Sequence, residues 1–491
     1  MIMKTIRINL LNWAVLGLLA INSSCSDWLD VNPRTEKQES DMYQSEKGFQ
    51  NVMNGIYIQL ASDDLYGKNT SYYFNDLLAG YWTKESNTTE EYISSYNFSQ
   101  SDVEDIITTI WSSYYTCIAH VNDLLENLEK TDVRFSYGNK ELLLGEAYGL
   151  RAFIHLEVLR LFGPVPNTAS DNTTAIPYVT ELSRDPAKLA SLTYGEVKQH
   201  ILNDLDLAES HLQNDPFTLG SMYDFNNPGS NKSGYKPEDD WHYYRQTHVN
   251  LYAIDAIRAR FYQYVGDTDE ATRYAQKVIG AKNPDGTSKF ELANEANSYT
   301  TQDNPNLVMQ CEHVFALHSS NLQKYINGVM VSSSTAKPDL YLNNSWIASV
   351  YENSEADIRY RSGRYFQTEG AYAYYLKYYQ SGSIEPINMI PLIRLAEMYL
   401  ILIENLPIEE ARTYFETFRQ ARSMDFSTGI DSETAKKERV EKEYRKDFWG
   451  EGQMFFYYKR HNMTNWTLPQ TMSLPVNGFV IPKPKGQTSF E

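Results

Sequence analysis

The feature that most restricts the fold is an apolar periodicity of three and four residues that recurs in separate stretches. In residues 104–129 the apolar positions, from Ile107 to Leu128, fall on one face of a helix. The same spacing recurs at 139–162, 194–212, 247–265, 268–280, 391–406 and 408–423, and a last, highly charged helix is predicted from about 432 to 448. Because the pattern is helical throughout, it predicts an all-α fold.

One pair of these helices has the length of a tetratricopeptide repeat. Residues 247–265 and 268–280 are separated by Gly266-Asp267 and together span 34 residues, which is the period of that repeat. The pairs are not contiguous, because stretches rich in Gly, Asn, Ser and Tyr interrupt them at roughly 63–101, 213–245, 281–345 and 350–389. Loops of this length are usually functional or disordered, and their aromatic residues favour order. We therefore predict tetratricopeptide-like helix pairs with long irregular loop insertions.

The N-terminus has the three-part form of a secretory signal. A short basic start precedes the apolar run Trp13 to Ile21, which is much shorter than the roughly 20 residues of a membrane-spanning helix. Small polar residues then lead to Cys25, although Asn22 stands where a bacterial lipobox usually has Leu. We predict that residues 1–24 are removed and that Cys25 carries the lipid, palmitate included. The alternative is an ordinary cleaved signal with a chance cysteine.

Charge and cysteine content exclude several classes of protein. The chain of 491 residues has a net charge of −19, and loss of residues 1–24 removes two further cations, Lys4 and Arg7. Nucleic-acid binding is not expected, because phosphate contacts need clustered Lys and Arg. Cys117 and Cys311 remain after Cys25, and two cysteines give no disulfide framework. We expect two separate buried thiols, with a disulfide as the alternative.

The motifs that would indicate an enzyme or a cofactor site are missing. The chain has no His-Glu-x-x-His, no paired Cys-x-x-Cys and no Gly-x-Ser-x-Gly. Gly229 and Gly234 have P-loop spacing, but Tyr235 stands where a lysine is needed. Cys311, Glu312, His313 and His318 could form a metal site, yet the apolar residues 314–317 between them favour a short buried strand. We expect no cofactor and no metal. A pair of glycosidase carboxylates cannot be read from spacing among 63 acids, so an enzyme stays an alternative.

Three blocks of sequence lie at 25–33 with 46–57, at 146–153 with 161–166, and at 391–400 with 443–448, 450–456 and Lys459-Arg460, and a closing Val-Ile-Pro-Lys-Pro follows at 480–484. In this order and spacing, the blocks resemble the SusD-like (RagB/SusD) outer-membrane lipoproteins of Bacteroides and its relatives. The resemblance extends over nearly all of the chain after Cys25.

The resemblance implies one SusD-like α-helical domain over 46–491, with an N-terminal part of about 46–280 and a C-terminal part of about 281–491. A lipidated segment, 25–45, would precede it, with Ser26-Asp27 as a surface-export signal. The implied function is a non-catalytic glycan-binding protein at the cell surface. It would pass an oligosaccharide to a SusC-like, TonB-dependent barrel in the outer membrane. The Arg and Glu side chains of the matching helices are expected in structural ion pairs.

Sugar binding needs aromatic platforms together with amide or carboxylate partners for hydroxyl groups. Two loop regions offer both, and we predict that their Trp residues stack on sugar rings. A further stretch, 372–379, holds five tyrosines and is either another candidate or a surface that faces the barrel. The predicted ligand-binding residues are Asn75, Asp76, Tyr81, Trp82, Asn87, Tyr341 and Trp346.

The rival class is a peptide- or protein-binding adaptor, because grooves of tetratricopeptide folds commonly bind peptides. A sheltered groove lined by Arg or Asn favours an adaptor, whereas a shallow aromatic patch on the loops favours a glycan. A glycan-cleaving enzyme would need two close carboxylates in a cleft.

Overall fold

A computed structural model describes residues 42–183, 185–297, 299–301, 304–332, 337–360, 365–379, 388–425 and 429–488. Helices dominate it, and the strands are short. The helices are α1 Glu46–Leu60, α2 Phe74–Leu78, α3 Thr89–Ser94, α4 Ser101–Lys130, α5 Asn139–Phe162, α6 Tyr194–His211, α7 Met222–Asn226, α8 Leu251–Val265, α9 Thr268–Ile279, α10 Leu322–Ile326, α11 Asn344–Val350, α12 Leu395–Asn405, α13 Ile408–Ala421, α14 Glu433–Asp447, α15 Gln453–His461 and α16 Lys485–Thr488.

The strands form small antiparallel sheets that lie between helices. They are β1 Tyr299–Thr301, β2 Asn304–Pro305, β3 His313–His318, β4 Leu342–Asn343, β5 Phe366–Glu369, β6 Tyr372–Tyr375, β7 Met389–Arg394, β8 Asn465–Trp466 and β9 Met472–Ser473. The partners are β1 with β2, β3 with β7, and β8 with β9, while β4, β6 and β5 form a three-stranded sheet with β6 in the middle. The predicted all-α fold with irregular insertions is confirmed.

The predicted helix pair 247–280 is present as α8 and α9. Asn250 caps α8 by accepting a hydrogen bond from the backbone N–H of Ala253, and Gly266 ends it in a left-handed conformation (φ 89°). Asp267 then caps α9 by accepting from the N–H of Glu270. A single turn therefore reverses the chain, and the two helices pack along their buried faces. The pairs α4–α5, α5–α6 and α12–α13 also pack side by side.

One expected helix is shorter than its pattern, because residues 389–394 form a strand. The periodicity of 391–406 predicted a helix throughout, but α12 begins only at Leu395 and β7 precedes it. β7 is buried along its whole length and pairs with β3. A short apolar run has no period that separates a buried strand from a helix. The strand predicted at 314–317 is confirmed by β3.

The expected structural ion pairs are present in the core. Arg260 lies against Glu397, Arg151 against Asp204, and Arg245 between Glu146 and Asp215. A second cluster centres on Asp447, which accepts hydrogen bonds from Arg359 and Arg422. Burial alone would raise the pKa of Asp447, but the surrounding guanidinium groups of Arg422, Arg394 and Arg359 hold it well below its usual range. Removing one partner of such a pair costs about 3–5 kcal/mol.

Two further sequence predictions concern cysteines. Cys117, in α4, and Cys311 are both free thiols, as expected, although only Cys117 is fully buried. Cys25 and the segment 25–41 lie outside the described residues, so lipidation stays a prediction. From residue 42 to 488, within the described ranges, no helix combines the length and the apolar character needed to span a bilayer.

Candidate functional site

Asn75 and Asp76, two of the predicted ligand residues, lie in the interior. They belong to α2, which follows a π-helical turn at Asn69–Tyr73. The Asp76 carboxylate accepts hydrogen bonds from the backbone N–H groups of Gly450 (2.7 Å) and Gly452 (3.1 Å). Burial raises the pKa of Asp76, and these two hydrogen bonds oppose the rise. Asp76 therefore joins α2 to the turn before α15.

Tyr81 and Trp82 are also core residues, and each is 0% exposed. The hydroxyl of Tyr81 donates to the backbone carbonyl of Arg445 (2.8 Å), and the indole N–H of Trp82 donates to that of Tyr72 (2.7 Å). Both rings also lie close to Trp449, with centroids 4.6 and 6.2 Å away. A ring enclosed in this way has no face for a sugar. The burial corrects the expected direct contact and leaves these residues a structural role.

The chain after Trp82 reaches the surface and meets the second predicted loop region. The backbone N–H of Thr83 donates to the carbonyl of Tyr341 (2.9 Å). Two residues on, Glu85 forms an ion pair with Lys337 and accepts a hydrogen bond from the hydroxyl of Tyr341 (3.3 Å). Asn87 is exposed in a left-handed conformation. The structure thus brings the end of the first region, 83–87, against the start of the second.

One face of the sheet β4-β6-β5 carries tyrosines, of which Tyr372 is exposed and Tyr374 is buried. Tyr372 lies directly opposite Asn343 on β4 and Glu369 on β5, and paired residues share one face of a sheet. Tyr374 lies two residues along β6, on the same side as Tyr372, and Ala373 and Tyr375 point inward. The tyrosine face is defined as Tyr341, Asn343, Gln367, Glu369, Tyr372 and Tyr374.

Tyr372 has the exposed ring of the tyrosine face, and neighbouring side chains support this ring. Its exposed fraction is 41%, whereas that of Tyr341 is 5%. The two rings meet edge to face, with centroids 5.0 Å apart and planes at 88°, which is a favoured aromatic geometry. The Lys337 ammonium lies 3.6 Å from the Tyr341 centroid and 4.8 Å from that of Tyr372. Tyr341 therefore supports Tyr372 as a platform.

Hydrogen bonds fix the polar edge of the tyrosine face. The hydroxyl of Tyr374 donates to the Glu369 carboxylate (3.0 Å), and the Gln367 amide donates to the other oxygen of Glu369 (3.4 Å). Burial, followed by the hydrogen bond to Glu369, raises the pKa of Tyr374. The raised pKa keeps the Tyr374 hydroxyl protonated at neutral pH, so it can donate to Glu369.

Trp346, the last predicted ligand residue, lies on α11, directly after β4. Asn343 caps α11 by accepting from the backbone N–H of Ser345 (3.0 Å), and Asn344 donates to the carbonyl of Gly370 (2.7 Å). Trp346 is half-buried, unlike the core residue Trp82. It lies three residues from Asn343, so it borders the tyrosine face along the chain.

Lys337 and Glu369 are site residues that sequence reasoning missed. A signal for Glu369 existed in the alternation of Tyr372, Ala373 and Tyr374, which indicates a strand with both tyrosines on one face. For Lys337 no local signal existed, because its partners Glu85 and Tyr372 are distant along the chain.

Two cavities lie apart from the tyrosine face. One of about 670 Å³ is lined by residues of α6, α8 and α9, including Lys198, Tyr262 and Asp267. Another of about 460 Å³ lies between α4 and the C-terminal segment and is lined by Ile107, Pro482 and other residues. Neither lining includes a residue of the tyrosine face.

Comparisons with known proteins agree on one class. A SusD-like family model, described as starch-binding and associating with the outer membrane, matches residues 27–225. Among solved structures, a SusD superfamily protein from Bacteroides thetaiotaomicron is 21% identical and has a TM-score of 0.69, with 91% of this chain and 98% of that chain covered.

Two further solved structures have the same fold. A SusD-like carbohydrate-binding protein from Bacteroides vulgatus is 16% identical, with a TM-score of 0.62 and 85% and 83% of the two chains covered. A SusD superfamily protein from Bacteroides fragilis is 17% identical, with a TM-score of 0.61 and 92% and 99% covered. A search of curated protein sequences gives no match.

The helix pairs, the loop face and these structural neighbours define an all-α protein with the SusD fold. Residues 27–225 match the SusD-like family model, and the fold of the chain is similar to that of the SusD superfamily structures.

Proposed function

We propose that this chain is a non-catalytic carbohydrate-binding lipoprotein of the cell surface. It would capture an oligosaccharide and pass it to a SusC-like, TonB-dependent transporter in the outer membrane. The observation that carries the proposal is the tyrosine face, where the exposed Tyr372 ring is bordered by amide and carboxylate side chains. The description of the matching family as starch-binding, and the carbohydrate-binding neighbour from Bacteroides vulgatus, support it.

The tyrosine face suits a sugar for a chemical reason. A pyranose ring has a patch of C–H groups that stacks on an aromatic face, and its hydroxyl groups point outward in the plane of the ring. With the ring on Tyr372, Asn343 and Glu369 lie on the strands to either side and would bond the hydroxyls. Trp346 would contact a neighbouring sugar unit. Asn87, at the end of the 83–87 segment, is a further candidate for a hydroxyl contact.

Electrophoresis of the purified protein in gels cast with different polysaccharides tests the proposal. The wild-type protein should be retarded by at least one of them. Calorimetry with oligosaccharides from that polysaccharide should then show that Tyr372→Ala weakens binding about tenfold, or about 1.4 kcal/mol. Tyr372→Phe should retain most of the affinity, because it keeps the ring.

The control is Tyr137→Ala, since Tyr137 is an exposed tyrosine (60%) in the turn before α5. It should bind as the wild type does. Normal affinity of Tyr372→Ala, with an unchanged circular dichroism spectrum, would exclude Tyr372 as the platform. Trp346→Ala in the same series tests the predicted second contact.

A separate measurement tests the proposal that the protein does not cleave its ligand. The polysaccharide that binds should keep its length after prolonged incubation with the protein, with no new reducing ends. Release of shorter chains by the wild-type protein, and not by a variant without the tyrosine face, would show an enzyme.

The position at the outer membrane follows in the proposal from a lipid on Cys25. A single acyl chain binds a membrane weakly, whereas several chains on one residue anchor it stably. The segment 25–45 would then connect the anchor with α1. The transporter partner is open to a direct test, because a tagged protein purified in mild detergent should retain a large outer-membrane barrel.

A further inference from the structure

We propose that the tyrosine face selects neutral oligosaccharides and rejects those that carry uronic acid or sulfate groups. This inference rests on the proposed function and adds the charge class of the ligand. The observation behind it is the arrangement of charged groups around the Tyr341 and Tyr372 rings.

Lys337, whose ammonium group lies against these rings, is already neutralised by an ion pair. Lys337 is ion-paired with Glu85, and its ammonium group lies over the ring of Tyr341. The Lys337 hydrogen bond and charge lower the pKa of Glu85, so Glu85 stays ionised at neutral pH. A sugar carboxylate would have to share Lys337 with Glu85, whose negative charge would repel it. An anionic ligand therefore gains no free positive charge from this pair.

The one charged residue within the tyrosine face is acidic. Glu369 lies on β5, directly opposite Tyr372 on β6. Neighbouring strands are about 4.8 Å apart, so a sugar on Tyr372 would have the Glu369 carboxylate beside it. A second negative charge placed there is repelled. A neutral sugar gains instead, because its hydroxyl groups can donate charge-assisted hydrogen bonds to this carboxylate.

The charge of the whole chain acts in the same direction. At a net charge of −19, the protein repels polyanions before contact, and salt screens this repulsion. Binding of a neutral glycan should be almost independent of ionic strength, because no ion pair forms.

The first test compares the wild-type protein in gels that contain neutral or anionic polysaccharides. Starch, galactomannan and arabinan represent the neutral class, and polygalacturonate, alginate and a sulfated galactan represent the anionic class. At least one neutral polysaccharide should retard the protein, and this retardation should change little between 50 and 300 mM salt. The anionic polysaccharides should not retard it. Tighter binding to a uronate would overturn the inference and leave the proposed function standing. Binding to neither class would overturn the proposed function, and the inference would fall with it.

A pair of variants tests the mechanism of selection. Glu85→Gln and Glu369→Gln each remove one negative charge, but only Glu85→Gln frees Lys337. Glu85→Gln should therefore gain measurable retardation by polygalacturonate, at least several-fold more than Glu369→Gln, and the gain should vanish in the double variant with Lys337→Met. Equal behaviour of the two single variants would contradict a role for the Lys337–Glu85 pair. Both glutamates lie at the surface, so both variants should fold, which circular dichroism checks.

Discussion

Lys289 is an unusual residue because its ammonium group is buried among aromatic rings. The side chain is 2% exposed, and its Nζ atom donates to the backbone carbonyls of Phe217 and Gly220. The Nζ atom also lies 4.0 Å from the centroid of the Phe217 ring. Burial lowers the pKa of Lys289 to about 7, and the charge of Asp215 only partly opposes the shift.

The shifted pKa predicts a stability that depends on pH. Between about pH 7 and pH 10.5 the amine is protonated in the unfolded chain and largely neutral in the folded one. The unfolded chain therefore binds more protons, so the free energy of unfolding rises with pH in this window, by at most about 1.4 kcal/mol per pH unit. The contribution is fully present above pH 10.5 and is lost as the pH falls towards 7.

Urea denaturation at pH 7.5 and pH 9.5 measures this effect. The free energy of unfolding of the wild-type protein, minus that of Lys289→Met, should increase from the lower to the higher pH. Lys437→Met is the control, because Lys437 is exposed on α14, and it should show no such increase. A difference that stays constant with pH would mean that Lys289 is charged in the folded protein.

The positions of single site residues in the structure were harder to predict than the types of residue that a sugar site needs. The sequence placed Trp82 and Trp346 in similar loops rich in Tyr and Asn, yet Trp82 is enclosed by Trp449 and Trp346 is half-buried. The difference comes from residues more than 300 positions away, which local composition does not contain. Tyr341 was predicted as a ligand residue, and the structure places it against Tyr372, which the sequence offered only as part of a further candidate stretch.

At the scale of elements, the connection between α2 and α15 depends on a glycine. Gly452 has a φ of 70°, and a Cβ atom there would lie 2.5 Å from the carbonyl oxygen of Thr70. Its N–H group donates to Asp76. Residue 452 therefore lies against the backbone of the π-helical turn and the side chains of α2, and any side chain at this position would disturb the contact.

Gly452→Ala should destabilise the protein strongly. The alanine meets both a left-handed conformation, which costs about 1–2 kcal/mol, and a collision with backbone that cannot move aside. We expect a total loss of at least about 3 kcal/mol in the free energy of unfolding. Gly286→Ala is a matched control, because Gly286 also has a positive φ (85°) but open space at the Cβ position. Equal losses of stability in the two variants would show that the close approach of residue 452 to Thr70 has little effect on stability.

The helices were the best-predicted elements, because their periodicity is a local property. The ends of α5 coincide with the predicted 139–162, and those of α6, α8 and α9 differ by a few residues. The failure at β7 has a physical origin, since a strand buried on both sides reads as continuous apolar sequence. In the long stretches between helix pairs, the alternation at 372–374 indicates one strand, but the sequence does not specify how β4, β6 and β5 pair across the gaps between them.

At the scale of the whole molecule, the N-terminal and C-terminal parts share contacts. Tyr81 donates to the carbonyl of Arg445, and Lys459 donates to the carbonyls of Leu161 (3.0 Å) and Gly163 (2.8 Å) at the end of α5. Such contacts are what the predicted single domain over 46–491 requires, and that domain assignment stays a prediction.

The last prediction concerns the attachment of the protein to the membrane through Cys25. If Cys25 carries the lipid, Cys25→Ala should lose incorporation of a labelled fatty acid and should leave the membrane fraction of the cells. Each buried CH₂ group of an acyl chain contributes about 0.8 kcal/mol, so loss of the chains removes the anchor. Uptake of the ligand should fall with it.

Binding in solution should not change in Cys25→Ala, because every residue of the tyrosine face is far along the chain from Cys25. Calorimetry on the purified soluble form should therefore give the wild-type affinity. This separation distinguishes an anchor from a structural residue. Equal label in wild type and variant would refute lipidation at Cys25, and a weaker affinity of the soluble variant would show that the segment 25–45 takes part in binding. A variant that binds normally but no longer supports uptake would show that the protein must be held at the membrane to deliver its ligand.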